Sequence, residues 1–173
     1  MSSKAVRVTL SELSQQKPAD IENQVLVEAT GDVSREELLA ALETAIAETY
    51  EGMYAPVDGG FMLATHWEPP YKMVKALATN NPSARVVVKS DAFLKEYWVA
   101  RAVYEGGKQI SEDVLTMNDG EAFETLFKEI HGQSHAEWKK ENKQGKVRGG
   151  FSWGTADHFD AAKSELGKAE GQI

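Results

Sequence analysis

The sequence predicts an α+β fold in which helices pack on one face of a mixed, largely antiparallel sheet. Three observations carry this expectation. Short runs rich in β-branched and aromatic residues recur along the chain. Two stretches with helical apolar spacing separate the first of these runs. A paired glycine, Gly106-Gly107, then joins the last two runs as a hairpin. With 173 residues, 42% hydrophobic and 27% charged, the composition is that of a folded chain of one domain with appendages.

Residues 1–23 read as a loosely attached N-terminal segment, polar around a few Val and Leu, with Pro18 stopping any helix. A strand follows over Val25–Ala29 and ends in Thr30-Gly31-Asp32. Ser34 as N-cap and Glu37 three residues on form a capping-box pattern, and Leu38, Leu42 and Ile46 recur at helical spacing to about Tyr50. Pro56 and Gly59-Gly60 mark residues 54–60 as a loop before a strand over Phe61–Trp67. Pro69-Pro70 ends that strand and opens a helix through Val74, Leu77 and Ala78, which Asn80-Asn81-Pro82 closes. Ala84–Ser90, Lys95–Tyr104 and Lys108–Ser111 read as three further strands. Ala122, Phe123, Leu126, Phe127 and Ile130 give residues 119–131 an apolar helical face that stops at Gly132. A basic, aromatic stretch and a short helix-like tail from Phe159 to Leu166 complete the chain. The expected organisation is an N-terminal segment at 1–23, an α+β core at 24–112 and a helical, aromatic C-terminal extension at 113–173. Two helices on one face of such a sheet make the core ferredoxin-like in outline.

The net charge of −8 disfavours generic attraction to phosphate backbones or anionic membranes. The acidic residues gather in 1–60 and 111–135, while 61–110 and 136–150 are mildly basic. With no cysteine, the chain has no disulfide, thiolate metal site or cysteine nucleophile. It contains no run of about 20 apolar residues. The start Met1-Ser2-Ser3-Lys4 lacks a signal-peptide core, so the expected location is cytoplasmic.

At Leu63-Ala64-Thr65-His66-Trp67-Glu68-Pro69-Pro70, followed by a helix, Asn81-Pro82, a strand and the Gly106-Gly107 hairpin, the sequence resembles the YubB-like ferredoxin-fold family of plasmids and bacteriophages. The matching piece is a Thr-x-Trp-x-Pro-Pro turn between strand and helix, here Thr65, Trp67, Pro69 and Pro70, and the likeness spans roughly 24–112. His66 departs from the small residue usual there. The resemblance implies a small accessory protein of a mobile element, and it transfers no catalytic residue.

Candidate chemistry is sparse. His131 and His135 have helical metal-ligand spacing, but Gly132 lies between them, and His158, Asp157 or Asp160 would join only if the tail folded back. No metal site or cofactor is therefore expected. His66, Trp67 and Glu68 place an imidazole, an indole and a carboxylate at a strand end. The plainer expectation is that Trp67 plugs the strand–helix junction and that no residue is catalytic. Gly59-Gly60, Gly106-Gly107 and Gly149-Gly150 lack phosphate-loop context and read as turns.

Two binding readings remain. Glu36, Glu37, Glu43, Glu48 and Glu51 on or beside the first helix, with Glu121, Glu124 and Glu129 on the later one, form rows of carboxylates. Such rows can imitate DNA phosphates and engage a basic host protein, including a nucleic-acid-binding defence enzyme. The alternative is single-stranded nucleic-acid binding on the sheet through Arg85, Lys89, Tyr97 and Arg101. Alternation limits it by sending Trp98 and Tyr104 to the opposite face. The acidic, protein-binding reading is preferred, and the sequence is silent on oligomeric state.

Overall fold

The structure is a computed structural model and describes residues 4–15, 20–93 and 96–143. Along the chain the elements are β1 (Ala5–Arg7), α1 (Leu10–Ser14), β2 (Ile21–Ala29), α2 (Arg35–Thr49), β3 (Gly52–Val57), β4 (Gly60–Thr65), α3 (Tyr71–Asn80), β5 (Ala84–Phe93), β6 (Tyr97–Glu105) and β7 (Lys108–Leu115). A 3₁₀ turn at Met117–Asp119, α4 (Glu121–His131) and α5 (His135–Lys143) follow. The strands form one seven-stranded mixed sheet in the order β1-β3-β4-β2-β5-β6-β7. Among the described strands only the β1–β3 pair is parallel. The fold is therefore α+β.

Residues 54–57 belong to β3, where the sequence suggested a loop. Pro56 is tolerated because β1 pairs only with Gly52–Tyr54, so the far end of β3 is a free edge that needs no N–H from position 56. A tight turn at Asp58-Gly59 then folds β4 back along β3, with Val57 opposite Gly60. Gly60 is needed there for another reason: a Cβ would lie 1.8 Å from the Val25 carbonyl oxygen of β2. Adding β3 changes the connectivity. β2 and β3 run parallel with β4 between them, and β4 and β5 run parallel with β2 between them. The order is thus β-α-β-β-α-β, two interleaved βαβ units, extended by the β6–β7 hairpin.

Helix α2 starts where Ser34 caps it, the hydroxyl accepting the Glu37 N–H at 3.1 Å. Its Leu38, Leu42 and Ile46 join Met73, Val74 and Leu77 of α3 over Val25, Phe61, Leu63, Val86, Val88 and Tyr104 of the sheet. The helices are not confined to that face, however. Strand residues of the other parity, Ala55, Met62 and Val99, pack with Leu13 of α1 and with Phe123, Leu126, Phe127 and Ile130 of α4. The C-terminal elements α4 and α5 thus close the second face. The N-terminal segment is tied down too, since β1 extends the sheet and Thr9 and Glu12 form a capping box that starts α1. The proposed tail helix at 159–166 lies outside the described residues.

Candidate functional site

Two neighbouring rows of the sheet are unusual. Across β4, β2, β5, β6 and β7 one row reads Ala64, Glu22, Asp91, Val99, Leu115, and the next reads Leu63, Asn23, Ser90, Ala100, Val114. Of the five buried polar or charged residues described, four are the central pairs of these rows and the fifth is His131 of α4. Asn23 and Ser90 face α2 and α3. There Ser90 donates to Asn23 Oδ1 at 2.7 Å, and Asn23 Nδ2 donates to the Leu63 carbonyl at 3.2 Å and to Thr65 Oγ1 at 3.0 Å.

Glu22 and Asp91 face α4. Tyr97 Oη donates to Asp91 Oδ1, and His131 Nε2 lies 2.9 Å from Asp91 Oδ2. An aromatic wall surrounds them: His131 stacks on Phe127 at 4.1 Å, with Trp138 at 5.6 Å, while His135 stacks against Tyr97 at 6.2 Å. Burial holds the His135 imidazole below its ordinary value of 6.5; Lys139 and His131 add to this effect, and Glu124 and Asp91 oppose it. Carboxylates, imidazole and phenol are the groups of acid–base chemistry. Here Glu22, Asp91 and His131 are buried between the sheet and α4, so the arrangement fastens α4 and α5 to the sheet.

A larger concavity lies on the other face. Ala41 and Ala45 of α2 and Ala76 of α3, whose side chains fill little of the space between the helices, line a groove of about 740 Å³. Its floor includes Tyr50, whose hydroxyl donates to the Met53 carbonyl and accepts the Ala64 N–H, both at 3.2 Å. Glu48, Glu68 and Lys72 supply its charge. Thr65, Glu68, Pro69 and Pro70 of the β4–α3 turn also line the groove, and Trp67 stands in the middle of that turn. Trp67 does not plug the junction. It is 90% exposed, and Pro69 is the residue buried at that corner. His66 is exposed beside it, with Nδ1 3.4 Å from Asp20 Oδ2.

The carboxylates singled out from the sequence divide between the faces. Glu36, Glu37, Glu48 and Glu51 are exposed on or just beyond α2. Glu43 is half-buried, bound to Arg7 at 2.8 Å and to the Tyr54 hydroxyl at 2.8 Å. Glu121 and Glu124 are exposed on α4, across the sheet from α2, and Glu129 takes both Lys89 at 3.1 Å and Arg101 at 3.2 Å. Arg85, Lys89, Tyr97 and Arg101 do share the α4 face. Yet Arg85 lies in register between Glu28 and Glu105, and Arg101 faces Asp113 across β7. Tyr97 lies under α4, edge-on to Phe123 at 6.1 Å and Phe127 at 6.3 Å. Those cations lie beside carboxylates, and the Tyr97 ring is half-buried. Among the described residues no group of three or more His, Asp or Glu is placed to hold a metal ion, and no helix is long and apolar enough to cross a membrane. His158, Asp157 and Asp160 lie outside the described residues.

No protein-family model, curated protein or solved structure matches this chain.

Proposed function

We propose that the chain is an accessory protein-binding module that takes a basic segment of a host protein into the α2–α3 groove and so modulates or inhibits that protein in the cytoplasm. The observation that carries this reading is Trp67, 90% exposed in the β4–α3 turn whose Glu68, Pro69 and Pro70 line the groove, the charged lining being Glu48, Glu68 and Lys72. An exposed indole next to Glu68 in the chain suits a Lys or Arg side chain, which the ring face attracts and the carboxylate neutralises. Exposed tryptophans beside concave, partly apolar surfaces are also the residues that carry most binding energy in interfaces. Glu36, Glu37 and Glu51 extend the negative potential along α2 and favour a basic channel, such as that of a nucleic-acid-binding defence enzyme.

The interleaved βαβ connectivity supports a ferredoxin-like core, and with the Thr65-x-Trp67-x-Pro69-Pro70 turn it supports kinship with the YubB-like proteins of plasmids and phages. In that context the chain acts by binding and not by catalysis. Capture of partners by the tagged chain from nuclease-treated bacterial lysate tests the reading. Binding weakens steeply as salt rises and is lost in Glu36→Lys/Glu37→Lys/Glu48→Lys, while Glu121→Lys/Glu124→Lys on the opposite face leaves it intact. The reverse pattern moves the interface to α4. Recovery of nucleic acid without nuclease, abolished by Arg101→Ala, moves the function to the sheet.

A further inference from the structure

We propose that β7 is a self-pairing edge, through which two copies of this chain join their sheets. The two edges of the sheet differ sharply. β1 has three residues, whereas β7 has eight, exposed from Lys108 to Val114. Three of the five large apolar side chains exposed among the described residues lie on β7 or just beyond it: Ile110 at 53%, Val114 at 51% and Met117 at 56%. An edge of this length offers a row of outward backbone groups to a further strand.

The register of β7 argues for a second copy as that strand. A bulge interrupts the pairing with β6: Lys108 is opposite Glu105 and Gln109 opposite Tyr104, whereas Ser111, Glu112 and Asp113 are opposite Val103, Ala102 and Arg101. The extra residue restores the alternation, so that Lys108 and Asp113 point to one face and Gln109 and Glu112 to the other. A two-fold axis perpendicular to the sheet can then set Lys108 of each copy against Asp113 of the other, and Gln109 against Glu112. Each contact occurs twice, the Lys108–Asp113 and Gln109–Glu112 pairs are complementary in charge or hydrogen bonding, and Ile110 falls opposite Ser111 at the centre. Shifts that set Glu112 against itself lose these pairs. The charges and the bulge repel an unrelated strand, and this one antiparallel register neutralises them.

Sedimentation equilibrium of the full chain over a wide concentration range tests the proposal, with circular dichroism confirming that each variant is folded. A monomer–dimer equilibrium is expected. Asp113→Lys should weaken it on the order of tenfold, since two attractive cross-strand pairs become repulsive. The exchange Lys108→Asp/Asp113→Lys should restore it, although position 113 still faces Arg101 within the chain. Amides of residues 108–115 should gain hydrogen-exchange protection with rising concentration. A monomer at every concentration, a dimer indifferent to Asp113→Lys, or failure of the exchange to restore pairing would each overturn the proposal.

Discussion

A carboxyl group removed from water needs polar partners, and those of Asp91 include the Tyr97 hydroxyl, which donates to Oδ1, and the His131 ring, whose Nε2 lies 2.9 Å from Oδ2. Removing one leaves buried charge poorly compensated. His131→Ala should therefore cost about 3–5 kcal/mol in chemical unfolding, and the cost of Asp91→Asn/His131→Gln should fall well short of the sum of its single variants. His135 adds a pH dependence whose sign is set by burial. The folded state disfavours its charged form, so the unfolded chain takes up the proton first as pH falls. The stability this group contributes is present above 6.5 and is lost as pH drops through its lowered folded value. Urea titrations from pH 7.5 to 5 should show this loss, with a shallower acid limb in His135→Phe. Part of the cluster was legible in the sequence. Phe123, Phe127 and His131 recur every four residues, which places His131 on the apolar face of α4 and not on a metal-binding one. Glu22 and Asp91 were not legible, because each looks like polar punctuation at a strand end until the β2–β5 register sets them opposite one another.

At the level of elements, local signals were most reliable where they were redundant. α2 has a cap, a period and a length that agree, and it forms within a residue or two of the expected span. β3 was hidden because Pro56 and Gly59-Gly60 are loop signals in isolation; only its neighbours show that Pro56 lies on a free edge. The Thr9-x-x-Glu12 box is present in the sequence and marks the start of α1, a helix of only five residues and so too short to show a period of its own. Gly60 illustrates the difference between a turn glycine and a packing glycine. Gly106 has a positive φ of 65° and open space around it, whereas a side chain at Gly60 would strike the β2 backbone. Gly60→Ala should thus destabilise by about 1–3 kcal/mol through overpacking, and Gly106→Ala by no more than about 1 kcal/mol, as thermal and urea unfolding of the two variants would show.

On the scale of the whole molecule, the net charge of −8 and its block pattern are plain in the sequence, but their disposition depends on which face each helix covers. The sequence leaves α4 free to share a face with α2. The structure separates them by a sheet, because strand residues of opposite parity feed two cores. A single acidic face built from all eight carboxylates therefore gives way to an α2 side continuous with the groove and an α4 side partly neutralised by Lys89 and Arg101. The groove was illegible for a similar reason: alanines on two helices make a concavity only once the helices lie side by side. The central claim is that Trp67 and this groove receive the partner. The most direct measurement compares capture from nuclease-treated lysate by the wild-type chain and by Trp67→Ala, after showing equal thermal stability. The account predicts that Trp67→Ala folds normally, its ring being in solvent, and loses the salt-sensitive partner by a factor of roughly 30 or more in affinity, the scale of an interface hot spot. Undiminished capture by Trp67→Ala would contradict it.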